Sequence, residues 1–317
     1  MSLSIFTHES GLEHNTGPGH PEAPIRQKVL MDAINRAAGE RWSIVEAPQA
    51  TDGAIKAVHQ ESYVEAVKAA VPASGRAPLD PDTWISPRSE EAARRACGAA
   101  VAAVDAVIAK EMGAGFVAMR PPGHHATPDR AMGFCLYNQI AVAAAHALAE
   151  HALERVAVFD FDVHHGNGTQ DIFWHRAEVM YLSIHQMPLF PGTGAASERG
   201  VGNIVNSPFA PNTPAATWRA QIERDMLPAL ADYEPQFLFV SAGFDAHVSD
   251  PLANGMLEAE DFSWVTDRLV EVAGEVGARG IVSVLEGGYN PSALAESAIA
   301  HLERLPTRAA SFDERTR

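Results

Sequence analysis

Short apolar runs rich in β-branched and aromatic residues alternate along this chain with long Ala-rich amphipathic stretches. The apolar runs predict strands at residues 2–7, 42–47, 115–119, 155–162, 179–184, 236–243 and 280–288. The clearest amphipathic stretches predict helices at residues 89–111, 138–151 and 261–276. Strands separated by helices pair in parallel and need helices on both faces of their sheet. The sequence therefore predicts an α/β fold, a three-layer αβα domain around a central, mostly parallel sheet of about eight strands.

The chain of 317 residues contains no long Gly/Ser/Pro linker and no internal repeat. Large α/β sheets often form one domain at this length, so we expect a single domain over residues 1–317, with a frayed polar tail from about residue 306. The first residues lack the basic and apolar regions of a signal peptide, and no run of about 18 apolar residues occurs. We therefore expect a soluble, cytoplasmic protein that does not contact the membrane.

The chain carries a net charge of −16, from 24 Lys and Arg against 40 Asp and Glu. This charge disfavours nucleic acid as a partner and favours cationic small molecules or basic peptides, although it is also ordinary for an acidic soluble protein. Two cysteines, Cys97 and Cys135, are too few for a disulfide framework or a thiolate metal cluster. We expect both to be small buried hydrophobic residues.

Polar residues follow five of the predicted strands at the point where each strand ends. The motifs are RPPGHH from residue 120, DVHHGNG from 162, SIHQ from 183, SAGFDAH from 241 and EGGYN from 286. In open α/β sheets ligands bind beyond the carboxyl ends of the strands. The common position of these motifs predicts one functional site at that edge.

Asp160, Asp162 and His164 alternate with apolar residues, which predicts that they share one face of an otherwise buried strand. Burying two carboxylates and an imidazole costs several kcal/mol unless a cation or hydrogen bonds compensate. Asp162 and His164, with Asp245 from another strand end, would form a three-ligand catalytic zinc site; Fe²⁺, Mn²⁺ or Co²⁺ would also suit these donors. The alternative is that Asp162 caps a loop and His164 packs in the core.

A binuclear manganese site would need further carboxylates two residues beyond His164 and Asp245. Gly166 and His247 occupy those positions, so we expect one transition metal per chain. A non-haem iron oxygenase is disfavoured, because its facial triad has two histidines and one carboxylate.

Six motifs in order, RPPGHHA, GFCLYN, DFDVHHGNGTQ, FPGTG, SAGFDAH and LEGGYN, resemble the histone deacetylase family, especially its class II and bacterial amidohydrolase or acetylpolyamine-amidohydrolase branch. The resemblance runs from Gly19 to about Leu305. It implies the arginase/deacetylase fold and one Zn²⁺ per chain.

The resemblance also implies roles for the tandem histidines. His125 would be the general base and then the general acid, with Asn167 as its partner, and His124 would act electrostatically beside Asp160. A carboxylate partner favours imidazolium, whereas an amide orients a neutral ring. Tyr289 would stabilise the oxyanion of the tetrahedral intermediate, which is worth roughly 3 kcal/mol for comparable donors. The alternative for Tyr289 is a simple turn residue.

A narrow apolar tunnel for an extended methylene chain is also implied. Its expected residues are Gly133, Phe134, Phe190 and Leu252, with Gly287 and Gly288 leaving room for substrate. Asp82 could hold a substrate amide or ammonium, or could be a solvated turn residue. Arg26 matches a product-exit channel. Two structural K⁺ or Na⁺ sites are implied, an inner one at Ser183 with carbonyls around Asp160, Asp162, His164 and Ile184, and a second at carbonyls near Phe173, Arg176 and Val179.

The predicted function is metal-dependent hydrolysis of an N-acyl amide, with acetyl favoured, on a lysine-like, polyamine or other small amine. The alternatives are a dedicated acetylpolyamine amidohydrolase, a hydrolase of small non-natural N-alkyl amides, and a non-catalytic acyl-group binder. The segment 184–194 leaves no room for the insertion usual in polyamine enzymes, which favours a broad deacetylase of small amides or peptides. The sequence leaves a homodimer or homotetramer open.

Overall fold

Eight parallel strands form the central sheet of the computed structural model, which describes residues 3–39 and 41–306. Their order is β2-β1-β5-β10-β9-β6-β7-β8. The strands are β1 (Leu3–Thr7), β2 (Trp42–Glu46), β5 (Ala114–Val117), β6 (Val156–Asp160), β7 (Val179–Gln186), β8 (Ile204–Phe209), β9 (Leu238–Ala242) and β10 (Ile281–Leu285). Two short strands, β3 (Ala77–Pro78) and β4 (Trp84–Ile85), form a separate antiparallel pair. The predicted three-layer α/β domain is confirmed, while the expected frayed tail from residue 307 onwards lies outside the described residues.

Helices cover both faces of the sheet. They are α1 (Ser10–Glu13), α2 (Pro24–Ala38), α3 (Asp52–Lys56), α4 (Glu61–Ala70), α5 (Ser89–Ile108), α6 (Gln139–Glu150), α7 (Asn167–Phe173), α8 (Ala215–Gln221), α9 (Leu227–Tyr233), α10 (Ala259–Glu275) and α11 (Pro291–Leu302), with a π-helical turn at Ile222–Met226. The three helices predicted from the sequence are present as α5, α6 and α10. Within residues 3–39 and 41–306, no helix has the length and apolar character needed to cross a membrane.

The strand β8 is a strand of the central sheet that the sequence prediction missed. Its sequence, IVNSPF, contains polar residues and a proline, which are depleted in strands. Proline is tolerated on an edge strand, and Pro208 lies opposite His185 at the outer edge of the sheet. Residues 208 and 209 therefore belong to this strand.

The sheet is buried on both faces, as the near-continuous apolar strands predict. In β6, Val156 and Val158 pack into the core on one side of the sheet, while Ala157 and Phe159 pack into the core on the other. The small residues of α5 allow a close approach to the sheet. A Cβ atom on Gly115 of β5 would lie 2.7 Å from the Cβ atom of Ala103 on that helix.

The order of the strands decides which strand ends can meet. The strands β5, β10, β9 and β6 are consecutive neighbours in the sheet although they are far apart in the sequence. Because they run parallel, their carboxyl ends lie at one edge. The segments that follow these four strands therefore build a common site.

Candidate metal centre and active site

Asp162, His164 and Asp245 converge at the carboxyl edge of the sheet. The Nδ1 atom of His164 lies 3.2 Å from Oδ1 of Asp162 and 3.1 Å from Oδ2 of Asp245. All three residues are buried, and their donor atoms lie within 4.8 Å of one another. The strand β6 ends at Asp160, so Asp162 and His164 lie in the bends beyond it rather than on the strand face that we predicted.

Backbone hydrogen bonds orient the two carboxylates. The N–H of His164 donates to Oδ1 of Asp162 at 2.9 Å, and the N–H of Gly287 donates to Oδ2 of Asp162 at 2.7 Å. The N–H of Val163 donates to Oδ1 of Asp245 at 2.9 Å. Both acids are thus held in place by the loops that follow β6 and β10.

The charges of this triad fit a divalent cation. Burial and the neighbouring carboxylate of Asp162 raise the pKa of Asp245 to about 7. Burial acts to lower the pKa of His164, but the two carboxylates outweigh it and raise the pKa to about 10. Two buried carboxylates facing one imidazole carry more negative charge than the imidazole can balance. Their oxygen atoms and the imidazole nitrogen are donor types that Zn²⁺ takes in catalytic sites.

Two glycines leave space for these carboxylates. A Cβ atom on Gly243 would lie 2.0 Å from Oδ2 of Asp162, and one on Gly287 would lie 2.1 Å from Oδ2 of Asp245. Gly287 therefore packs against the carboxylates of Asp162 and Asp245, and its expected place beside the substrate stays a prediction. Gly288 adopts a φ of +117° and lies against Leu294.

The tandem histidines lie side by side, with ring centroids 4.1 Å apart. His124 Nδ1 is 2.9 Å from Oδ2 of Asp160, which also accepts the Tyr181 hydroxyl at 2.9 Å. His125 Nδ1 is 2.8 Å from Oδ1 of Asn167, so the ring donates there and its Nε2 keeps a lone pair. The two partners are those expected from the sequence.

Opposite electrostatic surroundings separate the two imidazoles. Burial acts to lower the pKa of His124, but the carboxylates of Asp160 and Asp162 raise the pKa to about 10. Burial lowers the pKa of His125 well below its ordinary value, and the neighbouring His124 and His164 lower it further. At neutral pH His124 is therefore the cation and His125 the neutral ring.

A cavity of about 240 Å³ adjoins the triad. Its lining residues are Asp82, His125, Gly133, Phe134, His164, Leu189, Phe190, Leu252 and Tyr289. The structure thus brings the expected tunnel residues together, apart from the two glycines, and adds Leu189, which sequence reasoning missed. Phe134 packs edge-on against Tyr289 with ring centroids 5.8 Å apart. Phe190 is 41% exposed, which places it at the mouth of the cavity.

Asp82 lies at the rim but is already engaged within the chain. Its Oδ1 accepts the N–H of Gly133 at 3.2 Å and the hydroxyl of Thr83 at 2.8 Å. The residue therefore supports the loop that carries Gly133 and Phe134. A contact with substrate through its other oxygen stays a prediction.

Arg26 is buried beneath Tyr289, with its guanidinium carbon 4.8 Å from the ring centroid. Its Nε donates to the carbonyl of Gly288 at 2.6 Å, and Nη1 donates to Oε1 of Glu22 at 3.1 Å. Glu22 also pairs with buried Arg120; burial acts to raise the pKa of its carboxyl, but Arg120 and the hydrogen bond with His14 outweigh it and hold the pKa well below the ordinary value. A product-exit role for Arg26 stays a prediction.

Glu286 is a site residue that sequence reasoning missed. Its Oε2 accepts the N–H groups of Gly123 at 2.7 Å and of His124 at 3.1 Å, and Oε1 accepts the Ser241 hydroxyl at 3.2 Å. The carboxylate therefore anchors the turn that carries the tandem histidines. The available signal was an acid at the end of an apolar strand, directly before Gly287.

The structure brings together some of the residues expected at the two monovalent-cation sites. Ser183 lies directly opposite Asp160 across neighbouring strands, and its hydroxyl is 2.9 Å from His185 Nδ1. The carbonyls of the second expected site do converge, but on the side-chain amide of Asn203. Its Nδ2 donates to the carbonyls of Phe173, Arg176 and Val179 at 2.8, 3.0 and 2.8 Å. Binding of K⁺ or Na⁺ stays a prediction at both places.

The motif SIHQ was expected to contribute to the same site. His185 instead lies within β7, where its Nε2 donates to the carbonyl of Gly194 at 2.9 Å. Through this hydrogen bond the imidazole supports the loop at residues 187–194. The bond does not link His185 to Asp162, His164 or Asp245.

Comparison with known proteins gives consistent matches over almost the whole chain. A family profile described as histone deacetylase domain matches residues 20–305. A histone deacetylase-like amidohydrolase of Pseudomonas aeruginosa is 40% identical over 295 residues, covering 90% of this chain and 77% of that protein. A probable deacetylase of Methanothermobacter thermautotrophicus is 39% identical, covering 95% and 90%. Among solved structures, the HDA15 HD domain superposes with a TM-score of 0.90 at 32% identity, covering 99% of this chain and 92% of that one.

Proposed function

The chain belongs to the histone deacetylase family and is a deacetylase-type amide hydrolase, and we propose that it cleaves an N-acyl amide, above all an acetyl amide, on an extended amine. The amine would be a lysine-like side chain, a polyamine or another small amine. The products are a carboxylate and the free amine.

One observation carries this proposal. The cavity of about 240 Å³ has apolar walls, contributed by Phe134, Leu189, Phe190 and Leu252, and its polar groups include His125, His164 and Tyr289. Apolar walls with a few convergent polar groups suit a methylene chain that ends in a reactive amide.

Asp162, His164 and Asp245 are the residues that would hold the metal, and their donor types and burial fit Zn²⁺. A bound divalent cation would supply Lewis acidity, both to the substrate carbonyl and to the attacking water. Fe²⁺, Co²⁺ and Mn²⁺ suit the same oxygen-rich donors.

His125 would take the proton of the attacking water. The amide oxygen of Asn167 holds its Nδ1–H at 2.8 Å, and the lowered pKa keeps Nε2 unprotonated and able to accept. After the C–N bond breaks, the same Nε2–H would protonate the departing amine, so the ring returns to its neutral state. Proton uptake and release at one atom balance over the reaction.

His124 and Tyr289 would stabilise the negative charge that develops on the carbonyl oxygen. Asp160 keeps His124 in its cationic form. Burial raises the pKa of Tyr289 well above its ordinary value, although Arg26 opposes this shift, so the phenol stays a hydrogen-bond donor. Glu286 would act as a positioning residue through the backbone of His124.

A panel of N-acetyl compounds tests the proposal. Acetyl-lysine peptides, acetylputrescine, acetylspermidine and N-methylacetamide are incubated with the Zn²⁺-loaded enzyme, and released acetate is measured. We expect release from at least one extended acetyl amine, loss of release with a chelator, and recovery when Zn²⁺ is added back. A metal-replete protein that binds these compounds without releasing acetate from any would be a non-catalytic acyl-group binder, and the proposal would be wrong.

A further inference from the structure

A second group of metal-binding side chains lies outside the active site, where α5 meets α6. The Nε2 atoms of His146 and His151 lie 2.6 and 2.7 Å from the same carboxylate oxygen, Oδ1 of Asp105. The two imidazole centroids are 5.5 Å apart. Three side chains from two helices therefore aim their donor atoms at one point, although Asp105 and His151 are separated by 46 positions in the sequence.

This cluster is far from the active site. The N-cap of α6 is Asn138, whose Nδ2 donates to the carbonyl of Ala126 in the loop after the tandem histidines. The helix then runs for 12 residues, about 18 Å, before it reaches His151. The helix α6 leads into the amino end of β6, so the cluster lies at the opposite edge of the sheet from the catalytic triad.

The donors and their arrangement match a borderline divalent cation. Two imidazole nitrogens and one carboxylate oxygen are typical zinc ligands, and all three lie within 4.8 Å of one another. The imidazoles are mostly buried, at 17% and 21% exposure, whereas the side chain of Asp105 is 51% exposed. A cation about 2.0–2.2 Å from each donor needs the carboxylate oxygen roughly 3.3 Å from each imidazole nitrogen, so rotation of the half-exposed Asp105 would have to open the present contacts by roughly 0.6 Å.

The electrostatic setting also favours a cation. His151 is the C-cap of α6, and Asp105 lies in the last turn of α5, where the unpaired carbonyls of a helix carry partial negative charge.

The cluster is open to solvent on one side. It lines a groove of about 810 Å³ whose other walls are mostly small apolar residues of α3, α5 and α6. The exposed Glu150 lines the same groove. Three protein donors facing an open groove leave coordination positions for water.

We propose that Asp105, His146 and His151 form a second divalent-cation site that binds Zn²⁺ and ties the end of α5 to the end of α6. The site is separate from the catalytic triad and from the proposed function. Without metal, the two histidines hydrogen-bond Asp105; with metal, the cation replaces those two hydrogen bonds.

Zinc stoichiometry in equilibrium dialysis with elemental analysis tests this. The wild-type chain should bind about two Zn²⁺ and the double variant His146→Ala, His151→Ala about one. The matched control is His175→Ala, which removes an exposed histidine outside both clusters and should leave about two. The variant Asp245→Ala should retain about one Zn²⁺, and its combination with the double variant should bind none.

Thermal unfolding gives a second readout that does not depend on activity. Zn²⁺ should raise the melting temperature of the Asp245→Ala protein and leave that of the combined variant unchanged. If the alanine double variant is unfolded by circular dichroism, His146→Gln with His151→Gln replaces it. An unchanged zinc count and zinc-induced melting shift in the folded double variant would overturn the second site. If Asp245→Ala instead retains two Zn²⁺ ions, the assignment of Asp162, His164 and Asp245 as metal ligands is wrong, while the second site is still supported.

Discussion

Replacing Gly287 by alanine should disable the metal centre through a single methyl group. The added Cβ atom would lie 2.1 Å from Oδ2 of Asp245 and 2.5 Å from Oδ2 of Asp162, whereas real Cβ contacts stay above about 3.0 Å. Both carboxylates would have to move by roughly 0.5 to 1 Å, and a displacement of about 1 Å in a catalytic group costs on the order of 10²-fold in rate. No positive φ is required at this position, so the effect is steric and not conformational.

The assay compares acetate release, bound Zn²⁺ and the melting temperature of Gly287→Ala with those of Gly274→Ala. A Cβ atom on Gly274, in the last turn of α10, would meet no heavy atom within 4 Å. That control should therefore keep its activity and gain about 0.5 to 1 kcal/mol in unfolding free energy, because alanine is the better helix former. Full zinc content and full activity in Gly287→Ala would refute the assigned positions of the two carboxylates.

Four further predictions follow from the site and the core. His125→Ala should lower kcat by about 10² to 10⁴-fold with its zinc retained, since the general base is lost; near-normal turnover there, with none in His124→Ala, would reverse the two assignments. Tyr289→Phe keeps the ring against Phe134 but removes the donor, so kcat should fall by about 10²-fold with little change in KM, and an unchanged kcat would exclude the phenol. Asp245→Ala should lose both catalytic zinc and turnover in parallel metal and acetate assays, as chelation should in the wild type. Burial lowers the pKa of His301 to about 3, whereas the same side chain in the unfolded protein has a pKa near 6.5. Below about pH 6.5 the unfolded state therefore binds more protons than the folded state. As the pH falls, this one group lowers the free energy of unfolding by up to about 1.4 kcal/mol per pH unit. Urea unfolding between pH 7.5 and 5 should show a smaller slope in His301→Gln, and equal slopes would contradict the neutral buried ring.

A buried carboxylate holds the turn that carries the tandem histidines. The sequence directed attention to the two glycines and Tyr289 after β10, but Glu286 binds the backbone of the tandem-histidine turn. We infer that the buried carboxylate couples β10 to the loop after β5, its neighbour in the sheet. The carboxylate holds the backbone of the turn, while Asp160 and Asn167 each orient one of the two imidazoles.

Local patterns in the sequence were sufficient for the fold class and for the central donors. Apolar period and helix amphipathicity depend on neighbouring residues, so they predicted the alternating strands and helices and the long helices α5, α6 and α10. Polar side chains directly after buried strands are also a local pattern. This pattern predicted that Asp162, His164 and Asp245 form one site.

Other features depended on the tertiary structure, because they join residues whose proximity the order of the chain does not reveal. The strand β10 lies between β5 and β9, which puts Glu286 beside the turn of His124. Packing of α5 against α6 brings Asp105 to His146 across 41 positions. The edge strand β8 depends on pairing with β7, since its own residues have weak strand preference. Side-chain contacts of this kind are set by strand order and helix packing, which act over distances that a sequence window does not cover.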